Sequence, residues 1–150
     1  MPDTSRPKPG LIDANVILRY LLADHAALHR RAKALLDDVR IGDRHVVVLE
    51  SVLAECVYVM QRLYRVPRPE IADKLDGLLG YRGITGPDVP VLRRALAVYG
   101  TTSLGFADAL LAARAEAMNL PVVTFDAALE RFVTRQPPTA QPHAEQSKPR

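Results

Sequence analysis

The chain has 150 residues, of which 48% are hydrophobic, and these values suit a single domain with one packed core. Its formal net charge of +3 permits a nucleic-acid partner but does not require one, because an ordinary surface rich in arginine has the same balance. The single cysteine, Cys56, excludes an intrachain disulfide framework and a cysteine-based zinc site. No apolar run reaches the roughly 18–20 residues that cross a bilayer, and the polar start does not resemble a signal peptide, so we expect a cytoplasmic protein with no membrane partner.

Both ends of the chain are rich in proline and poor in large apolar residues. We therefore expect flexible tails at residues 1–9 and 135–150 and a folded domain over residues 10–134. Strands are predicted at residues 11–12, 45–49, 84–85 and 122–124, and helices at 15–22, 26–39, 52–64, 69–79, 88–99, 105–118 and 126–133. Strands that alternate with helices predict an α/β fold with a mainly parallel central sheet.

Two acidic residues stand at the ends of predicted strands. Asp13 follows the first strand and Asp126 follows the last one. Ligands of open parallel sheets bind at the carboxyl ends of the strands, so both residues are candidates for a binding site. Aspartate is also a common N-cap, and either residue could serve only to cap the helix that follows it.

Two further acids stand in apolar surroundings. Helical spacing puts Glu55 in a stripe with Cys56, Val59 and Leu63, and a lone buried carboxylate is costly unless it is paired or bound to a metal. Glu55 could instead lie at the edge of that stripe and reach solvent or an arginine. Asp108 is the only charge in residues 106–113. The main alternative to a functional role is that Asp108 lies near the N-terminus of its helix, where the helix dipole favours a negative charge.

Taken together, the four carboxylates favour a divalent metal site. Clustered carboxylates repel one another unless a cation neutralises them. Oxygen ligands without histidine or cysteine select Mg²⁺ or Mn²⁺, and such ions serve phosphoryl chemistry by activating water and by stabilising charge on phosphate. The sequence therefore predicts a metal-dependent site that consists of Asp13, Glu55, Asp108 and Asp126.

Four segments in order carry a family resemblance: IDANVILRYL at residues 12–21, ECVYVM at 55–60, FADAL at 106–110 and VTFD at 123–126. In these segments the chain resembles the PIN-domain family, and within it the VapC toxins of bacterial and archaeal toxin–antitoxin pairs. The resemblance implies a PIN-like three-layer α/β/α sandwich and an endoribonuclease that uses Mg²⁺ or Mn²⁺. It also implies a homodimer that is silenced by a cognate VapB-type antitoxin.

The resemblance carries the acidic site of the family onto the same four residues, and Asn15 and Thr124 match positions that are polar in the family and would support the carboxylates. Two positions depart from the pattern. Ala14 stands where threonine or serine is common, and Gly105 stands where many relatives carry a further aspartate.

The expected chemistry is hydrolysis of RNA. Asp13 and Asp108 would bind the metal directly and Asp126 directly or through water, while Glu55 would bind a second ion or position the attacking water. In-line attack would displace the 3′ oxygen and leave a 5′-phosphate. Arginines near the site would bind the RNA backbone, although exposed arginine is more often only solvated surface; the candidates are Arg19, Arg62, Arg65 and Arg68.

Two other functions fit parts of the pattern. One is a catalytically inert PIN scaffold that binds RNA or protein, which the presence of all four acids disfavours. The other is an unrelated α/β phosphotransfer domain with an acidic pocket, in which Asp13 would be phosphorylated. Phosphatases that use an aspartate nucleophile carry a second aspartate two residues later. Asn15 occupies that position here, so this function is also disfavoured.

Overall fold

The computed structural model describes residues 7–135, so the predicted tails at residues 1–9 and 135–150 lie almost entirely outside the described part. Within that range the chain forms short strands separated by helices. The strands are β1 (Gly10–Leu11), β2 (Val46–Val47) and β3 (Ile84–Thr85), and the helices are α1 (Ala14–Leu22), α2 (Ala26–Ile41), α3 (Glu50–Arg62), α4 (Arg68–Leu79), α5 (Val89–Thr101), α6 (Phe106–Met118) and α7 (Ala127–Arg135).

The strands form one parallel sheet in the order β1-β2-β3. Gly10 is paired with Val46, and Val46 is paired in turn with Ile84. Two helices separate each strand from the next, which is the crossover that parallel strands require. The predicted α/β class and the parallel sheet are therefore confirmed.

The interior is apolar, as the composition requires. Leu53 and Met60 of α3, Leu75 of α4 and Leu96 and Tyr99 of α5 are completely buried. Helices α4, α5 and α6 pack against one another in succession, while α3 contacts α1, α4 and α6. No helix within the described range is both long and apolar enough to cross a membrane.

The prediction of a strand at residues 122–124 is wrong. No strand lies in that segment, and the parallel sheet of the described residues consists of β1, β2 and β3. Val123 is 95% exposed and Phe125 is fully exposed. Valine and threonine favour extended backbone, but a strand exists only where a neighbour completes its hydrogen bonds, and that pairing is a tertiary contact which local sequence does not encode.

Candidate active site

Asp13 lies between β1 and the first turn of α1, at the carboxyl end of the sheet. Its backbone has the extended conformation of an N-cap (φ −86°, ψ 152°), yet its side chain makes no capping hydrogen bond. The residue is exposed, and no ion pair within residues 7–135 involves its carboxylate. Capping therefore does not account for an aspartate at this position.

Glu55 is exposed, and the expectation that it lies in a buried stripe is wrong. The buried face of α3 consists of Leu53, Cys56, Val57 and Met60, whereas Leu63, which was expected to share the stripe with Glu55, is 72% exposed. The contacts of α3 with α1, α4 and α6 determine which of its faces is buried, and the sequence of one helix does not reveal these contacts. Glu55 consequently pays no large desolvation cost.

The negative charges of Asp13 and Glu55 both act on one buried thiol, that of Cys56. The Cys56 Sγ atom is 4.0 Å from the carbonyl oxygen of Ala14. Burial, together with the negative charges of Glu55 and Asp13, raises the pKa of Cys56 to about 12. Cys56 is therefore a neutral core residue rather than a nucleophile.

Asp108 occupies the first turn of α6 and is half-buried. Helix α6 packs against α3 and α5. A negative charge in a first turn is favoured by the helix dipole, so that alternative fits the observed position. No basic residue within the described range forms an ion pair with it.

Asp126 does cap a helix. Its Oδ1 atom accepts a hydrogen bond from the amide of Leu129 at 2.8 Å, in the first turn of α7. Thr124 holds the same turn, because its Oγ1 atom accepts from the amide of Asp126 at 2.9 Å. The capping explanation is thus correct for one carboxylate oxygen of Asp126, which lies on the turn before α7 and not at the end of a strand.

Two other acids at the carboxyl edge of the sheet are neutralised. Arg114 of α6 reaches Glu50 Oε2 at 2.6 Å and Asp88 Oδ1 at 2.9 Å, and these contacts raise its pKa. Glu50 follows β2 and Asp88 follows β3, so one guanidinium spans the ends of both strands. The sequence alone does not reveal this cluster, because Arg114 is far from both partners in the chain.

The chain matches the PIN domain family over residues 10–133. The chain belongs to the PIN-domain family. No protein with curated annotation matches it. The PIN domain is generally a nuclease fold, and its members are typically hydrolases that use divalent metal ions.

In this PIN domain the four predicted acids do not form a closed metal cage. Within residues 7–135, no group of three or more histidine, cysteine, aspartate or glutamate side chains is placed to hold an ion. Asp13 lies at the start of α1 and Glu55 is exposed on α3, and both charges act on Cys56, whereas Asp126 caps α7. The donor chemistry still suits Mg²⁺ or Mn²⁺, because Mg²⁺ usually binds through one or two carboxylates and completes its shell with water and substrate phosphate.

The four arginines predicted to bind RNA differ in their surroundings. Arg19 forms an ion pair with Asp24 at 3.0 Å. Arg68 is part-buried and donates to the carbonyl oxygens of Tyr99 and Leu104, which gives it a structural role in the PIN domain. Its guanidinium also lies 4.0 Å from the centre of the Tyr99 ring. The remaining two, Arg62 and Arg65, are exposed.

Proposed function

We propose that this PIN domain is a metal-dependent endoribonuclease that acts as the toxin of a VapBC-type pair. The proposal depends on one observation. At the carboxyl edge of the sheet, Glu50 and Asp88 are neutralised by Arg114, whereas neither Asp13 nor Glu55 forms an ion pair within the described range. An uncompensated negative charge of this kind is suited to a divalent cation and a phosphate.

Asp13 and Asp108 are the proposed metal-binding residues, and Asp126 is proposed to contribute through its second carboxylate oxygen or through a water. Oδ1 of Asp126 is occupied by the amide of Leu129, which leaves Oδ2 for that purpose. The ion, when bound, neutralises phosphate charge and lowers the pKa of water. Mg²⁺ and Mn²⁺ are both compatible with a site made only of oxygen ligands.

The remaining polar residues would orient the substrate and water. The exposed carboxylate of Glu55 is proposed to accept a hydrogen bond from the attacking water and align it with the phosphorus. Asn15, exposed in the first turn of α1, is proposed to support Asp13, and Thr124 holds the backbone of Asp126. In-line displacement of the 3′ oxygen would leave a 5′-phosphate on the product.

The decisive experiment measures cleavage of a labelled single-stranded RNA with Mg²⁺, with Mn²⁺ and with EDTA. We expect cleavage only with the metals, and we expect Asp13→Asn to reduce it by about 10²-fold or more, because a metal-binding carboxylate is lost. Asp43→Asn is the control, since Asp43 is an exposed acid between α2 and β2. Cleavage that persists in EDTA, or an Asp13→Asn variant as active as wild type, would contradict the proposal.

The same wild-type protein also distinguishes a nuclease from a catalytically inert scaffold, when RNA binding is measured beside RNA cleavage. Wild-type protein that binds RNA but does not cleave it with either metal would support a binding module. The proposed toxin role, the homodimer and the VapB-type antitoxin rest on the likeness of the four segments to VapC toxins. Induced expression should arrest growth and generate new 5′-phosphate RNA ends, and Asp13→Asn should produce neither effect.

A further inference from the structure

Helix α3 exposes a face that begins at Glu55. Tyr58 and Arg62 follow Glu55 at the spacings i+3 and i+7, which place side chains along one side of a helix. All three residues are exposed, and Tyr58 is 62% exposed. At a rise of about 1.5 Å per residue, Arg62 lies roughly 10 Å along the helix from Glu55. An acid, an aromatic ring and a cation therefore follow one another on the surface.

The loop after α3 adds a second cation to this face. Arg65 has φ +51°, in the left-handed region that favours glycine. The next amide, that of Val66, donates to the carbonyl oxygen of Met60 at 3.0 Å and closes the end of the helix. Glycine would adopt this conformation at a lower cost, so Arg65 occupies it against the local backbone preference.

Arg62 and Arg65 line the same open depression, of about 420 Å³, together with Gln61. The Oε1 atom of Gln61 accepts a hydrogen bond from the Tyr99 hydroxyl at 2.9 Å, so this wall is anchored to the core. Within residues 7–135 neither arginine forms an ion pair. Two guanidinium groups that share a depression repel each other, and an anionic ligand would relieve that repulsion.

We propose that Tyr58, Arg62 and Arg65, here called the α3 face, bind single-stranded RNA beside the scissile phosphate. The inference rests on the proposed ribonuclease function and defines how that site holds its substrate. The Tyr58 ring stacks on an unpaired base, and the two arginines bind the next phosphates. The order of acid, ring and cations corresponds to a cleaved phosphate, its neighbouring base and the following backbone. Duplex RNA would not satisfy this order, because its bases are already stacked and paired.

The test measures equilibrium binding of a fluorescein-labelled single-stranded RNA by anisotropy in EDTA, where no metal-dependent cleavage takes place. We expect Tyr58→Ala to weaken binding by at least about 5-fold and Tyr58→Phe to retain it, because the ring supplies the stacking energy. Arg62→Ala should weaken binding and reduce the salt slope by about 0.7, the value for one phosphate contact on a single strand.

Arg65→Gly separates ligand binding from backbone effects. It removes a cation while it relieves the left-handed conformation, so we expect a more stable protein that binds RNA less tightly. Leu63→Ala and Arg31→Ala are the matched controls. Leu63, the C-cap residue of α3, is 72% exposed but lies off the α3 face, and Arg31 is exposed on α2, so both variants should bind RNA as wild type does.

Wild-type affinity in Tyr58→Ala, equal losses in the two controls, or equal affinity for duplex RNA would overturn the inference. The inference would also be overturned if the protein bound an acidic peptide through Tyr58 and Arg62 and did not bind RNA. Because binding is measured without metal, the two proposals fail separately. A protein that binds RNA through the α3 face but never cleaves it contradicts only the nuclease, and one that cleaves RNA with Tyr58→Ala binding normally contradicts only the α3 face.

Discussion

Glu50 and Glu55 lie on the same helix, but only Glu50 is bonded to an arginine. Arg114 Nη2 donates to Glu50 Oε2 at 2.6 Å, whereas Glu55 is exposed with no ion pair within the described range. The charge of Glu55 instead acts on Cys56, whose pKa it raises together with burial and Asp13. Glu50 is therefore held in an ion pair, whereas Glu55 is the glutamate of this helix that is proposed to act in the chemistry.

This difference makes Glu50 and Glu55 a matched pair for mutation. Glu55→Gln should reduce RNA cleavage by about 10²-fold with little change in stability, because the exposed carboxylate that is proposed to align the attacking water is lost. Glu50→Gln should lower the free energy of unfolding by roughly 0.2–1 kcal/mol, the usual worth of an exposed ion pair, and leave most of the cleavage. Cleavage rates and urea unfolding of both variants check this, and equal effects on cleavage would contradict the assignment.

Arg68 should matter for stability. Its Nη2 atom donates to the carbonyl oxygens of Tyr99 and Leu104, and its guanidinium lies over the Tyr99 ring. Arg68→Ala leaves both acceptors without this donor and removes the cation–π contact, so we expect a loss of about 2–4 kcal/mol. Chemical denaturation measures it. Arg62→Ala serves as the control and should stay within roughly 0.5 kcal/mol of wild type, since Arg62 is exposed.

The packing of α4 against α5 depends on a glycine. A Cβ atom added to Gly100 would meet the Cβ atom of Ala72 at 2.7 Å, which is closer than real Cβ contacts allow. Gly100→Ala should therefore lower the free energy of unfolding by about 1–3 kcal/mol. Gly77, in α4, has open space around it, so Gly77→Ala should raise stability by roughly 0.5–1 kcal/mol. Thermal melts of the two variants should shift in opposite directions.

The turn between α1 and α2 should respond to acid. The hydroxyl of Tyr64 donates to Asp24 Oδ2 at 2.5 Å and Arg19 lies 3.0 Å from Oδ1, and these partners lower the pKa of Asp24 below its usual value of 3.8. A lowered folded pKa means that the carboxylate stabilises the fold above pH 3.8 and that this contribution is lost as the pH falls through the folded pKa.

Asp24→Asn should accordingly be less stable than wild type at pH 7, and the difference should shrink below pH 4. Denaturation at a series of pH values measures this difference. On the alkaline side the same hydrogen bond raises the pKa of Tyr64, so its contribution persists up to pH 10 and is lost above the raised value. Asp43→Asn is the control, and a stability difference of the same pH dependence in that variant would contradict the assignment to Asp24.

Most elements of the fold follow from local pattern. The β-branched run at Val46–Val47 predicts β2, and the apolar spacing of Ile71 and Leu75 predicts α4, which the structure confirms. Local pattern failed at residues 122–124, where strand-forming residues have no neighbour to pair with. It also failed at Glu55, because a helix with several apolar faces does not reveal which one its neighbours cover.

Periodicity and residue chemistry are local properties, so the α/β class, the helices, the three paired strands and the candidate acids could be predicted, whereas the fourth predicted strand was wrong. The folded structure shows which acids are neutralised, since Arg114 meets Glu50 and Asp88 across long stretches of chain. It likewise decided that Arg68 is held in the interior while Arg62 is exposed. Charge compensation and burial depend on which groups the folded chain brings within a few ångströms of one another, and distance along the sequence does not encode that.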